Sequence, residues 1–105
     1  MEIKDMITKE DILTFIQQNQ SYLEEHFHIK KIGLFGSFAH NEQKEDSDID
    51  LIIELEENTP HIYELKEELR EFIGREFDRE VDIAREKYLK PYAKAEIINE
   101  AVYVE

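Results

Sequence analysis

The sequence DIDLIIEL, at residues 48–55, decides how the rest of the chain is interpreted. Side chains alternate between the two faces of an extended strand, so Ile49, Leu51 and Ile53 would share one face. Asp50 would lie on the opposite face, in line with Asp48. This pattern predicts a strand that is buried on one side and presents two carboxylates on the other.

Further strands and helices are predicted on both sides of this strand. Short apolar runs at residues 30–36 (KKIGLFG) and 79–84 (REVDIA) have the pattern of strands, and residues 102–104 could form a terminal edge strand. Three other segments have apolar residues at helical spacing. They are a helix from an N-cap at Thr8 to about Glu25, one capped by Thr59 with Pro60 at its first position, and a final helix that Pro91 opens, with Ala93, Ile97 and Ile98 on its core side.

The order of these elements predicts an α+β fold of two layers, with helices flanking a small mixed β-sheet. Residues 1–105 are expected to form a single domain, because a chain of 105 residues is long enough for one two-layer core. The strands before and after the loop at residues 37–47 can pair antiparallel, since a short connection suffices for antiparallel neighbours. That pairing would bring Gly36 and Ser37 to the end of the sheet where Asp48 begins its strand.

Composition restricts the possible functions. The chain has no cysteine, which excludes disulfides, thiolate catalysis and cysteine-based zinc sites. Its 26 acidic and 13 basic residues give a formal net charge of -13, which repels phosphate backbones and argues against direct nucleic-acid binding. A basic macromolecular partner or metal cations would suit this charge, and solubility alone would also account for it. Without a signal-peptide pattern or an apolar run near the ~20 residues of a membrane span, we expect a cytoplasmic protein with no membrane association.

Three aspartates form a candidate metal site. The α-carbons of Asp48 and Asp50 would be roughly 6.6–7 Å apart on one strand face, so their carboxylates can converge on one ion or bracket two. Asp82 joins them if its strand lies beside theirs. Three carboxylates without a cation would repel one another. Mg²⁺ removes the conflict, and it is the usual ion where phosphates complete the ligand shell.

The turn after the first strand is a candidate phosphate site. Glycine lets backbone N–H groups approach a phosphate closely, so Gly36 suits this role. Ser37 offers a hydroxyl donor and could cap SFAHN as a one-turn helix whose N–H groups point at an anion. A phosphate turn beside metal-binding carboxylates is what the transfer of a nucleotidyl or phosphoryl group needs.

The spacing of these residues resembles a known signature. Gly36-Ser37, ten residues, and then Asp48-Ile49-Asp50 is similar to the pattern of the DNA polymerase β-like nucleotidyltransferase superfamily. The short length of the chain and the sequence SDIDLII, at residues 47–53, resemble its minimal nucleotidyltransferase (MNT) branch, which includes MntA-like antitoxins. The resemblance covers nearly the whole chain. It implies the nucleotidyltransferase fold and an enzyme that transfers AMP, or another NMP, from ATP or another NTP to a hydroxyl group.

The resemblance also implies residue roles and a partner. Gly36 and Ser37 would hold the triphosphate, and Asp48 and Asp50 would bind two Mg²⁺ ions. Asp82 would bind the ion that activates the acceptor hydroxyl and would help to remove its proton. Many MNT proteins are encoded beside a HEPN-domain toxin, a ribonuclease, and inhibit it as antitoxins by attaching AMP to a tyrosine near its active site. A HEPN toxin in a hetero-oligomer is therefore the expected partner.

Two positions depart from the family pattern, which often reads Gly-Ser-x-Ala-Arg-Gly. His40 stands where arginine is usual, and Asn41 where glycine is usual. If that arginine holds phosphate, His40 would do so more weakly and in a pH-dependent way. An alternative function is a non-catalytic antitoxin that neutralises a HEPN ribonuclease by forming a complex, and a small-molecule or RNA acceptor is a further possibility. A calcium site is disfavoured, because DSDID lacks the glycine and distal glutamate of an EF-hand loop.

Overall fold

The computed structural model describes residues 7–104 as helices packed on a four-stranded β-sheet. The α+β class with a small mixed sheet is therefore confirmed. In chain order the elements are α1 (Lys9–Gln18), α2 (Gln20–Phe27), β1 (Ile29–Phe35), β2 (Ile49–Leu55), α3 (Ile62–Phe77), β3 (Val81–Arg85), a 3₁₀ turn (Glu86–Tyr88), α4 (Pro91–Glu100) and β4 (Val102–Tyr103).

The strand order in the sheet is β3-β2-β1-β4. β1 runs antiparallel to both β2 and β4, whereas β2 and β3 are parallel. The predicted pairing across the loop at residues 37–47 and the predicted C-terminal edge strand are both confirmed. β3 and β4 occupy opposite edges, so the segment that holds the 3₁₀ turn and α4 connects one edge of the sheet to the other.

One face of the sheet carries the hydrophobic core. The side chains of Leu51 and Ile53 on β2 are buried there, as their alternation predicts, and Leu34 on β1 is fully buried beside them. Helices α1 to α3 cover this face with an apolar stripe each, because their apolar residues recur at helical spacing. Their buried residues are Ile12, Ile16, Leu23, Phe27, Leu69 and Ile73.

The first predicted helix is two helices in the structure. Thr8 caps α1 as expected: its hydroxyl accepts from the Asp11 backbone N–H, and the Asp11 carboxylate accepts from the Thr8 N–H. The prediction of one continuous helix to Glu25 is wrong, because Asn19 leaves helical geometry (φ -108°, ψ 18°). The Asn19 side-chain amide donates to the Phe15 carbonyl at 2.8 Å, and such local bonds compete with the helix.

One further prediction about helices is wrong, and another is fulfilled only in part. α3 begins at Ile62 after His61, which has a left-handed conformation (φ 54°), so Thr59 and Pro60 precede the helix instead of capping it. Pro91 does open α4, but this helix buries none of its side chains. Its expected core residues Ile97 and Ile98 are only half-buried. Within residues 7–104, no helix is long and apolar enough to cross a membrane.

Candidate active site

The turn after β1 is anchored by its own apolar side chains. Phe38 is fully buried and Ala39 nearly so, which holds the backbone of residues 36–41 against the end of the sheet. Successive bonds join Ala39 N–H to the Gly36 carbonyl and His40 N–H to the Ser37 carbonyl, at 3.1 and 3.2 Å. Each bond joins residues three positions apart, so the expected one-turn helix is a run of tight turns with 3₁₀-type hydrogen bonds.

Ser37 has a different local role from the one expected. Its carbonyl accepts from the backbone N–H groups of His40 and Glu42. Within residues 7–104, its hydroxyl makes no hydrogen bond, so it does not cap the turn. The hydroxyl is therefore free to donate to a ligand.

Gly36 and Asp50 are in direct contact. Gly36 has φ +77°, a conformation that L side chains rarely adopt, and Phe35 pairs with Asp50 across β1 and β2. The space that a Cβ atom on Gly36 would need is taken by Oδ2 of Asp50, with the Asp50 Cγ at 3.0 Å. Only glycine satisfies both conditions, because it has no Cβ and tolerates positive φ. The turn after β1 and Asp50 therefore meet at one end of the sheet, as the antiparallel pairing of β1 and β2 predicts.

Asp50 also meets the third aspartate. The parallel register of β2 and β3 sets Asp50 beside Asp82, and Asp48 lies just before β2. Asp48 and Asp82 are exposed, whereas Asp50 is half-buried between them. Burial raises the pKa of the Asp50 carboxyl above its ordinary value of 3.8, and the negative charges of Asp82 and Asp48 raise it further. The sequence predicted that Asp82 would join Asp48 and Asp50 if its strand lay beside theirs, and β3 does lie beside β2.

The donor set of this site fits a hard divalent cation. All three side chains offer carboxylate oxygens. Burial is the main reason why the pKa of Asp50 is raised, and the charges of Asp82 and Asp48 add to it, so a cation would stabilise the ionised carboxylate. Within residues 7–104, no three acidic or histidine side chains are drawn tightly enough around one point to enclose an ion. The aspartates are therefore neighbours on one surface and are not closed around a common centre.

The two departures from the family pattern have structural explanations. Asn41 has φ 58°, a left-handed conformation that asparagine adopts more readily than most residues, so it can replace a glycine there. His40 Nε2 lies 3.2 Å from Oε1 of Glu100, at the end of α4. Sequence reasoning missed Glu100, because no sequence signal relates residues that are 60 positions apart.

Comparison with known proteins places this geometry in a family. The nucleotidyltransferase domain family matches residues 11–104. The chain is 33% identical to the protein adenylyltransferase MntA of Thermococcus cleftensis over 99 residues, which cover 94% of this chain and 98% of the relative. It is 42% identical, over 72% of its length and 80% of the relative, to a candidate protein adenylyltransferase of Methanocaldococcus jannaschii.

Solved structures have the same fold. A candidate minimal nucleotidyltransferase superposes with a TM-score of 0.74 at 26% identity, covering 91% of this chain and 95% of the other. Another match is a chain from the solved complex of a tri-AMPylated Shewanella oneidensis HEPN toxin with an MNT antitoxin. Its TM-score is 0.58 at 16% identity, and the match covers 87% of this chain and 70% of the other. This second likeness concerns the fold alone. Together with the sequence relatives, these matches show that the chain belongs to the nucleotidyltransferase domain family of enzymes, in its minimal nucleotidyltransferase branch.

Proposed function

We propose that the chain transfers AMP from ATP, with Mg²⁺, to a tyrosine hydroxyl of a HEPN-domain toxin, and so acts as its antitoxin. The observation that carries this proposal is the position of Asp50, in contact with Gly36 of the turn on one side and beside Asp82 on the other. The relatives named as protein adenylyltransferases support the reaction class. The solved complex of an AMPylated HEPN toxin with an MNT antitoxin supports the choice of partner.

The residues have distinct roles in this proposal. Gly36 lets the turn approach the triphosphate closely, and Ser37 donates its free hydroxyl to a phosphate oxygen. Asp48 and Asp50 would hold two Mg²⁺ ions, and Asp82 would be a further ligand of one of them. When bound, these ions neutralise the triphosphate and lower the pKa of the acceptor hydroxyl.

The proposed transfer is a single displacement, with no covalent enzyme intermediate. The acceptor oxygen attacks the α-phosphorus in line with the bond to the β-phosphate oxygen, which breaks and releases pyrophosphate. The hydroxyl proton passes to the carboxylate of Asp82, which is exposed and so accessible to an acceptor from outside the chain. Fixed carboxylates and the turn supply positioning and charge compensation, which are the main requirements of this chemistry.

The test is transfer of label from α-labelled ATP to the HEPN protein in the presence of Mg²⁺. We expect Asp50→Asn to reduce labelling by roughly a hundredfold or more, since it removes a metal-binding carboxylate. Asp46→Asn is the matched control, because Asp46 is an exposed acid of the same loop and lies outside the site. Wild-type labelling by Asp50→Asn, or labelling that persists in EDTA, would refute the proposal.

A second candidate function is a non-catalytic antitoxin. It is favoured by the contact between His40 and Glu100, which occupies the side chain at the family's arginine position. In that case Asp50→Asn would still form the complex and still suppress toxicity. The same variant therefore separates the two functions when growth of toxin-expressing cells is measured beside labelling.

A further inference from the structure

Residues 85–94, REKYLKPYAK, form a positively charged segment in an acidic chain. They contain four cations and one acid, a formal charge of +3, whereas the whole chain has a charge of -13. The single acid, Glu86, is only 16% exposed in its side chain. Its carboxylate accepts from the Tyr103 hydroxyl at 3.1 Å and lies 3.4 Å from Lys31 Nζ. Glu86 therefore points inward and leaves the surface of this segment basic.

The cations of this segment lack carboxylate partners. In the part of the chain that the structure describes, the lysines and arginines that form ion pairs are Lys31, Arg70 and Arg75, and none of them is a cation of residues 85–94. Arg85 and Lys87 instead lie over the ring of Tyr88, at 4.9 and 5.6 Å from its centroid. Unpaired cations are notable in a chain with twice as many acids as bases.

Exposed tyrosines accompany these cations. Tyr63, Tyr88 and Tyr92 are 73%, 68% and 81% exposed. Tyr63 and Tyr88 line one shallow cavity of about 460 Å³ together with Lys66, Arg85 and Leu89. Tyrosine and arginine are enriched at protein interfaces, where tyrosine supplies a large apolar area with a polar end. The adjoining helix α4 begins with two exposed residues, Pro91 and Tyr92, which continue this surface.

We propose that this basic, tyrosine-rich surface docks an acidic surface of a protein partner. We define the surface as Tyr63, Arg85, Lys87, Tyr88, Lys90 and Tyr92. The cations of this surface are complementary to carboxylates. Glu54, Glu56 and Glu57 line one cavity with Arg85 and Lys87, so the basic surface ends on that side. A protein fits better than a nucleic acid, because a protein can present a few carboxylates to a small basic surface, whereas a continuous phosphate backbone would extend onto the bordering acids of a chain with a net charge of -13.

The docking surface lies away from the reacting groups. Asp82 is the second residue of β3 and Arg85 its last, so the surface begins about 10 Å farther along the strand. Asp82 and the turn at Gly36 are therefore not part of the docking surface. The inference rests on the proposed function for the identity of the partner, the HEPN protein, but not for the existence of the surface.

The test compares binding and transfer in the full chain. Affinity for the HEPN protein is measured by calorimetry without ATP for wild type, K87E/K90E and the control Arg75→Glu, whose side chain is 75% exposed on α3. We expect K87E/K90E to weaken binding by about tenfold or more and to flatten its salt dependence, and Arg75→Glu to bind as wild type. Binding of AMP-PNP should be unchanged in both variants, because neither touches the turn or the aspartates.

Each remaining outcome is decisive. Wild-type affinity in K87E/K90E, or no binding of the HEPN protein by the wild type, would overturn the docking surface. Complex formation that depends on Lys87 and Lys90, but without AMP transfer, would uphold the surface and refute the proposed activity. If the double variant instead loses affinity for poly(U) RNA, or converts a dimer to a monomer, while HEPN binding is intact, the surface belongs to RNA or to a second copy and the proposal fails.

Discussion

Replacement of Gly36 by alanine tests the central contact of the site. The new methyl group would meet the Asp50 carboxylate, with Cγ at 3.0 Å and Cβ at 3.2 Å, at a residue with φ +77°. Two costs therefore add. The positive φ costs an L-residue about 1–2 kcal/mol. The overlap forces the carboxylate or the turn to move, which for a crowded site costs about 1–3 kcal/mol.

Together these costs predict that Gly36→Ala lowers the free energy of unfolding by about 2–5 kcal/mol. Urea unfolding measures it. With a slope of about 1–3 kcal/mol per molar urea, the midpoint should fall by about 1–2 M or more. Transfer activity should fall as well, because a displaced Asp50 can no longer hold its metal ion in place.

Truncation of Asp50 to alanine separates the two costs. Asp50→Ala removes the carboxylate that blocks the new methyl group and leaves only the Cβ contact at 3.2 Å, so in that background Gly36→Ala should cost mainly the backbone strain of about 1–2 kcal/mol. The double-mutant cycle should therefore give a coupling free energy of about 1–3 kcal/mol. Equal costs of Gly36→Ala in both backgrounds would refute the contact on which the site is built.

Three further predictions concern other contacts. Asp50→Asn should raise the melting temperature in EDTA at pH 7, because it removes a half-buried charge that two neighbouring aspartates repel; an unchanged or lower value would contradict this account. Burial and Glu86 raise the pKa of Tyr103 to about 12. The stability from the protonated phenol is thus complete below pH 10 and lost as pH rises through about 12. Ultraviolet titration of the 5 tyrosines should contain one such late step, absent in Tyr103→Phe. Phe38→Ala should cost about 3–5 kcal/mol in urea unfolding, and Tyr92→Ala under about 0.5, because only Phe38 is buried.

Local sequence determined much of this protein. A period of two placed Asp50 on the face opposite Leu51, and the length of the loop allowed β1 and β2 to pair antiparallel. The N-cap at Thr8 was also predicted, because capping depends on residues within one helical turn. The errors at the other helix ends are also local, because each depends on the backbone conformation of one residue. Asn19 interrupts the first helix with its side-chain hydrogen bond, and His61 has a left-handed conformation that helix propensity does not predict.

Only the tertiary structure decided which distant residues meet. The register of β2 and β3 joins Asp50 to Asp82, which periodicity could propose only on the condition that the strands are neighbours. The contact of His40 with Glu100, and the incomplete burial of Ile97 and Ile98 on α4, had no local signal. Periodicity states which face of an element is apolar, but not how fully it is covered. That depends on the path of the chain from one sheet edge to the other, and this path leaves α4 partly covered, with the basic surface at its start.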